Sequence, residues 1–201
     1  MKKKLIFTLT LAVLFIVMVR PVELDKKNLK GLNYVRIQSE FNGVPYYRGY
    51  KSPKDQEVEE FNLEETETRL NKAGIPLSKD NIRAVYDQLA KRLSASGVEI
   101  VKIRNQDEKN AFTIIPTVSI NVEVMAVPGE RYFILVYLTV SRWISTWSDT
   151  QNLHTPVIIW WQKKMLAATK GKLNKSLAEA ADTLIDDFLV KLGEENREEK
   201  E

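Results

Sequence analysis

Hydrophobic and polar positions alternate most regularly between Thr113 and Trp147, where Val118, Ile120, Val122, Val124 and Ala126, then Ile134, Val136, Leu138 and Val140, fall at every second position. That period predicts two long strands with one buried face. Val127-Pro128-Gly129-Glu130 joins them, proline presetting φ at the first central position and glycine accepting a positive φ at the second. Upstream, Leu32 to Phe41 sets Val35, Ile37 and Phe41 against Tyr34, Arg36, Gln38 and Glu40, which predicts a first strand. Val98 to Ile103 and Val157 to Lys164 are two more short apolar runs.

Two segments change period to that of a helix. Leu77 to Gly97 opens on Ser78 as N-cap, with Leu77 and Ile82 placed as a hydrophobic staple. Ile82, Val85, Tyr86, Leu89 and Leu93 make its stripe, and Gly97 stands where a left-handed residue ends a helix. The second begins at a capping box, Ser176 to Glu179, carries Leu177, Ala181, Leu184, Ile185, Phe188 and Leu192, and meets Gly193 as its stop. Asn42 to Lys54, with two glycines, two prolines and the tyrosines Tyr46, Tyr47 and Tyr50, reads as a loop. Glu57 to Lys72 is acidic and at most a marginal surface helix, so 42–76 is expected as an irregular insertion.

Strand, helix, strand implies a crossover that leaves the first two strands parallel. The expected fold class is α+β: a two-layer sandwich, its mixed and mostly antiparallel sheet of about five strands in the order βαβββα, with two helices on one face. A hydrophobic N-terminal helix precedes it. The chain divides into a leader at 1–24, a single domain at 28–193 and a disordered charged tail at 194–201.

In the leader, Lys2, Lys3 and Lys4 precede fifteen uninterrupted residues, Leu5 to Val19, with no second, polar face. This is the layout of a bacterial secretion signal. No Ala-x-Ala pattern marks a cleavage site, and fifteen residues at about 1.5 Å each fall short of a bilayer core of about 30 Å unless Lys4 and Arg20 snorkel. Both a cleaved signal and a retained anchor in the inner membrane through residues 5–19 remain open. Either way the charge asymmetry places the body outside the cytoplasm.

The net charge of +3 is owed to this end: residues 1–27 hold six Lys/Arg and two acids, leaving the body with 24 basic and 25 acidic side chains. A basic pI so distributed gives no reason to expect a nucleic-acid partner. The chain has no cysteine, hence no disulfide, thiolate metal site or lipid attached through cysteine, and its single histidine, His154, removes most zinc and Ser-His schemes. Ser148, Asp149 and His154 lie too close in one segment to serve as nucleophile, orienter and base. The carboxylates of Glu57, Glu59, Glu60, Glu64, Glu65 and Glu67 lack the ordered spacing of a calcium loop and read as a solvated face. No phosphate loop, nucleophile elbow or His-Glu-x-x-His is present. No enzyme activity and no cofactor is therefore expected.

Four tryptophans, Trp143, Trp147, Trp160 and Trp161, fall within nineteen positions. With Tyr46, Tyr47 and Tyr50 they are the candidate binding residues, a surface for a protein partner or, alternatively, for a small ligand or carbohydrate. Rings that close a small sheet are the other reading.

The helix ending Leu93-Ser-Ala-Ser-Gly97-Val98, the central hairpin, Val157 to Trp161 and Thr183-Leu-Ile-Asp186-Asp187-Phe188 together resemble small exported bacterial envelope proteins of unknown function. Their domain is similar to the lipopolysaccharide-assembly lipoprotein and to the N-terminal domain of the Tol-Pal beta-propeller protein. The resemblance covers about half of the chain, transfers no catalytic residue, and implies an envelope role through protein contacts. Unlike the lipoproteins, this chain has no cysteine after its leader.

Overall fold

A computed structural model describes residues 29, 32–50, 58–104, 115–148 and 151–197. The leader, residues 51–57, 105–114 and 149–150 and the last four residues lie outside the described residues, and with them the expectations placed there.

The sheet is larger than the pattern suggests: eight strands rather than about five. Strand β1 (Tyr34–Phe41) turns through Asn42-Gly43 into β2 (Val44–Tyr50), which pairs with the short β3 (Glu59–Phe61). Helices α1 (Leu63–Lys72) and α2 (Lys79–Ala95) follow, then β4 (Glu99–Ile100), β5 (Ile103–Arg104), β6 (Thr117–Val127), β7 (Arg131–Ser148) and β8 (Gln151–Thr169). A turn of 3₁₀ helix leads into α3 (Leu173–Arg197). The main path runs β3-β2-β1-β6-β7-β8, with β4 beside β1 and β5 beside β2. As expected, β1 and β4 are parallel, and β1 is also parallel to β6.

The stretch expected as an irregular insertion, 42–76, holds β2, β3 and α1 instead. The reason is local. Asn42 and Gly43 have φ of 46° and 80°, the two positive values that a two-residue hairpin turn needs and that Asn-Gly supplies most cheaply. Asn42 also splices the hairpin to its neighbour: its side-chain amide donates to the carbonyl of Val124 (3.0 Å) and accepts from the Val124 N–H (2.8 Å).

Both helix stops before the crossover are Schellman turns. Gly74 (φ 72°) and Gly97 (φ 87°) take the left-handed position, while the N–H of Ile75 reaches the carbonyl of Leu70 and that of Val98 reaches Leu93. Each bonded pair is buried. The cap of α2 is the expected Ser78, with Asn81 completing the box.

Helix α3 departs from expectation at both ends. It begins at Leu173, not Ser176, because Leu173 is itself buried against the sheet, and it passes through Gly193 to Arg197. Glu195, assigned to a disordered tail, is buried and accepts a hydrogen bond from the Leu29 N–H at 2.8 Å.

Helices α2 and α3 lie together on one face of the sheet. There Val118, Ile120, Val122, Ile134, Val136, Leu138 and Val140 meet Ile82, Leu89 and Leu93 of α2 and Leu177, Ala181, Leu184, Ile185 and Phe188 of α3, all buried. Ala126, expected to share this face, is exposed near the hairpin end, where the helices no longer cover the strands.

Candidate interaction site

Successive side chains of a strand point to opposite faces, so the strands that build the core must also present a second surface. On β7 that surface carries Phe133, Leu135, Tyr137 and Thr139, opposite Met125, Glu123, Asn121 and Ser119 of β6 and Ala167, Met165, Lys163 and Trp161 of β8. No described helix crosses it. Met125 (65% exposed), Phe133 (51%), Ile158 (53%), Trp161 (46%) and Met165 (72%) stand open to solvent. Near the hairpin end, a shallow hollow of about 510 Å³ is lined by Met125, Phe133, Leu135 and Met165, with Glu40 and Glu123 on its rim.

Charge on this face is uneven. Glu40, Asn121, Tyr137 and Lys163 form one row across β1, β6, β7 and β8. Partial burial and the neighbouring Glu123 raise the Glu40 carboxyl above its usual range. The Tyr137 hydroxyl donates to Glu123 at 3.3 Å, and burial, then the Glu123 and Glu40 charges, push its pKa up to about 12. Lys163 lies over the Trp161 ring, 5.6 Å from its centroid. The other end of the face is closed: Arg36, which the alternation set opposite the core, is buried as well.

The seven aromatic residues singled out by the sequence do not share one surface. Trp160 turns inward and packs on Phe188 of α3 at 5.1 Å between centroids, while its neighbour Trp161 turns out. A register shift between Val140 and Ser141 takes up the extra residue Ile159 and sets which of the two is which. Tyr46 is fully buried, edge-on to Tyr86 of α2 at 5.3 Å. Tyr47, on the opposite side of β2, stacks on Phe61 at 4.8 Å. Trp143 and Trp147 pair with Pro156 and Asn152 where β7 and β8 run on past β6 as a two-stranded ribbon; their side chains, and that of Tyr50, lie outside the described residues.

A second polar region lies on the helix side. Arg48 of β2 bonds to Asp87 of α2 (2.5 Å) and to Glu60 of β3 (3.1 Å), and Glu60 also accepts from Arg83 (2.7 Å) and from the Tyr46 hydroxyl (2.7 Å). The Arg83 guanidinium, against the opposing effect of partial burial, holds the Glu60 carboxyl down at about 2, with the Tyr46 hydroxyl adding to it. A carboxylate so committed stays ionised at neutral pH and is poorly matched to acid–base work there. The cluster borders a cleft of about 660 Å³ between α2 and the β2–β3 edge, with Lys102 and Ser94 at its wall. We read it as a brace, because every charge in it is spent on a neighbour. Among the described residues no three His, Cys, Asp or Glu side chains converge as metal ligands.

The open face was in the sequence as Phe133, Leu135 and Tyr137, apolar at positions a solvated face would fill with polar residues. The brace had no such signal, since its members are far apart in the chain.

No protein-family model matches the chain, and no curated protein does. A crystal structure of a minor lipoprotein from Acinetobacter baumannii is similar over 80% of this chain and 87% of that one, at 12% identity and a TM-score of 0.27. A superposition that loose establishes neither a shared fold nor a shared role. Among the described residues no helix is long and apolar enough to cross a membrane.

Proposed function

We propose that this is a non-enzymatic interaction module of the bacterial cell envelope that engages a protein partner through the uncovered face of its sheet. The observation that carries the reading is the group of large apolar side chains at Met125, Phe133, Ile158, Trp161 and Met165, each about half exposed or more on neighbouring strands. Leaving such side chains in water forgoes about 1.5–3 kcal/mol apiece, and contiguous patches of this kind mark interaction surfaces. Lys2 to Lys4 followed by Leu5 to Val19 support a location beyond the cytoplasm. The brace around Glu60 speaks against acid–base chemistry there.

A photo-reactive residue at Met165, compared with one at Asp182 on α3, tests this in cells. A discrete crosslinked product from the first site alone is expected. Equal labelling from both positions, or none from Met165, would overturn the assignment.

A further inference from the structure

The open face is complementary to itself, and we propose that its occupant is a second copy of this chain, the two sheets packing face to face about a twofold axis that runs along the strands between β6 and β7. The inference rests on the reading of that face as an interaction surface and names what fills it.

The argument begins with the charged row. Glu40 sits on β1 and Lys163 on β8, at opposite ends of one line of outward side chains. Three strand spacings of about 4.8 Å separate them, too far to meet within one molecule. Neither has an ion pair among the described residues: Lys163 rests on Trp161, and Glu40 is partly buried beside the like charge of Glu123. A twofold axis midway between β6 and β7 exchanges left for right. It therefore sets Lys163 of one copy over Glu40 and beside Glu123 of the other, twice per dimer.

The apolar part obeys the same operation. Met125 and Phe133 are direct neighbours across the axis, so Met125 of each copy meets Phe133 of the other. Isologous pairing requires one patch to match itself, which an acidic β1–β6 side and a basic β8 side allow only for this axis direction. Turned about an axis perpendicular to the strands, Glu40 would face Glu40. Sheets packed in this way keep their strands within about 30° of one another.

The size is adequate. Four strands and the four outward rows from Phe133 to Thr139, leaving out the closed row of Arg36, span roughly 20 by 25 Å, on the order of 500 Å² per copy. Both copies together then bury about 1,000 Å², the least that a specific interface of good complementarity needs.

The test uses the full chain in cells, expressed as two copies with different tags and a photo-reactive residue at Phe133. An adduct of twice the 23.2 kDa chain carrying both tags is expected. Lys163→Glu alone and Glu40→Lys alone should each reduce it about tenfold or more by placing like charges face to face. The chain carrying both changes should recover it, since the swap restores each pair. Recovery in the double variant also shows that the loss in the single ones is not unfolding. An adduct of different mass lacking the second tag would overturn the self-pairing and leave the interaction surface standing. Absence of any adduct would overturn both, and loss in the single variants without recovery in the double would overturn the proposed axis.

Discussion

The two faces of the sheet are made by the same strands and differ by one residue of offset. Ile134 and Val136 are fully buried under α3, while Phe133 between them and the turn is half exposed. Apolar character alone therefore did not decide burial; what lies above each side chain did. A face that is hydrophobic and uncovered is an unfinished one, and its composition points toward another surface as plainly as the covered face points toward the helices.

The largest effects should separate the faces outright. Phe188→Ala, beneath Trp160 on the covered side, is expected to cost about 3–5 kcal/mol, whereas Phe133→Ala on the open side should stay within about 1 kcal/mol of the parent. Urea unfolding with an unchanged slope measures both, and equal losses would mean that the second face is covered too.

An intermediate effect tests how the covering helix is seated. At Gly97 an added Cβ meets nothing within 4 Å, so Gly97→Ala carries only the backbone cost of a left-handed alanine, about 1–2 kcal/mol. Because Gly97 delivers the chain from α2 into β4, the loss should appear in the stability of the core and leave crosslinking from the open face intact in molecules that remain folded.

The smallest effects have opposite signs. Glu60, on the helix side, has its folded pKa lowered to about 2 from 4.5, so it contributes stability that is fully present above about pH 4.5 and lost as the pH falls toward 2. Glu40, on the open side, has its pKa raised; its favourable contribution is present below 4.5 and lost as the pH rises through the folded value. Glu60→Gln should therefore flatten the acid limb of the stability curve, and Glu40→Gln should raise stability at neutral pH when the protein is dilute. Urea midpoints taken between pH 3 and 7 check both signs, and a common sign would show that the faces do not differ electrostatically.

The period-two runs in β6 and β7 and the helical stripe from Ile82 to Leu93 could be read directly, because each is set by local geometry and burial on one side. The extent of β7 and β8 could not. Past Ser141 the residues of β7 are mostly serine, threonine and tryptophan, and those of β8 mix polar and apolar in no simple alternation; the ribbon is held by backbone pairing that side-chain pattern does not encode. The signal for the β1–β2 hairpin is Asn42-Gly43, but the glycines, prolines and tyrosines of 42–54 taken together read as a loop. Trp160 and Trp161 show the limit most clearly. Adjacent residues of a strand must face opposite ways, yet which one enters the core depends on the shift at Ile159, and only the pairing with β7 reveals that.

Asn42 carries one last implication. Its amide reads both polar groups of Val124 at once, giving a hydrogen to the carbonyl and taking one from the N–H. Aspartate, the same size and shape, could take but not give, and would set a negative oxygen against the Val124 carbonyl. At this corner the nearest look-alike is thus the wrong part: the last stitch between two parallel strands depends on a single nitrogen atom.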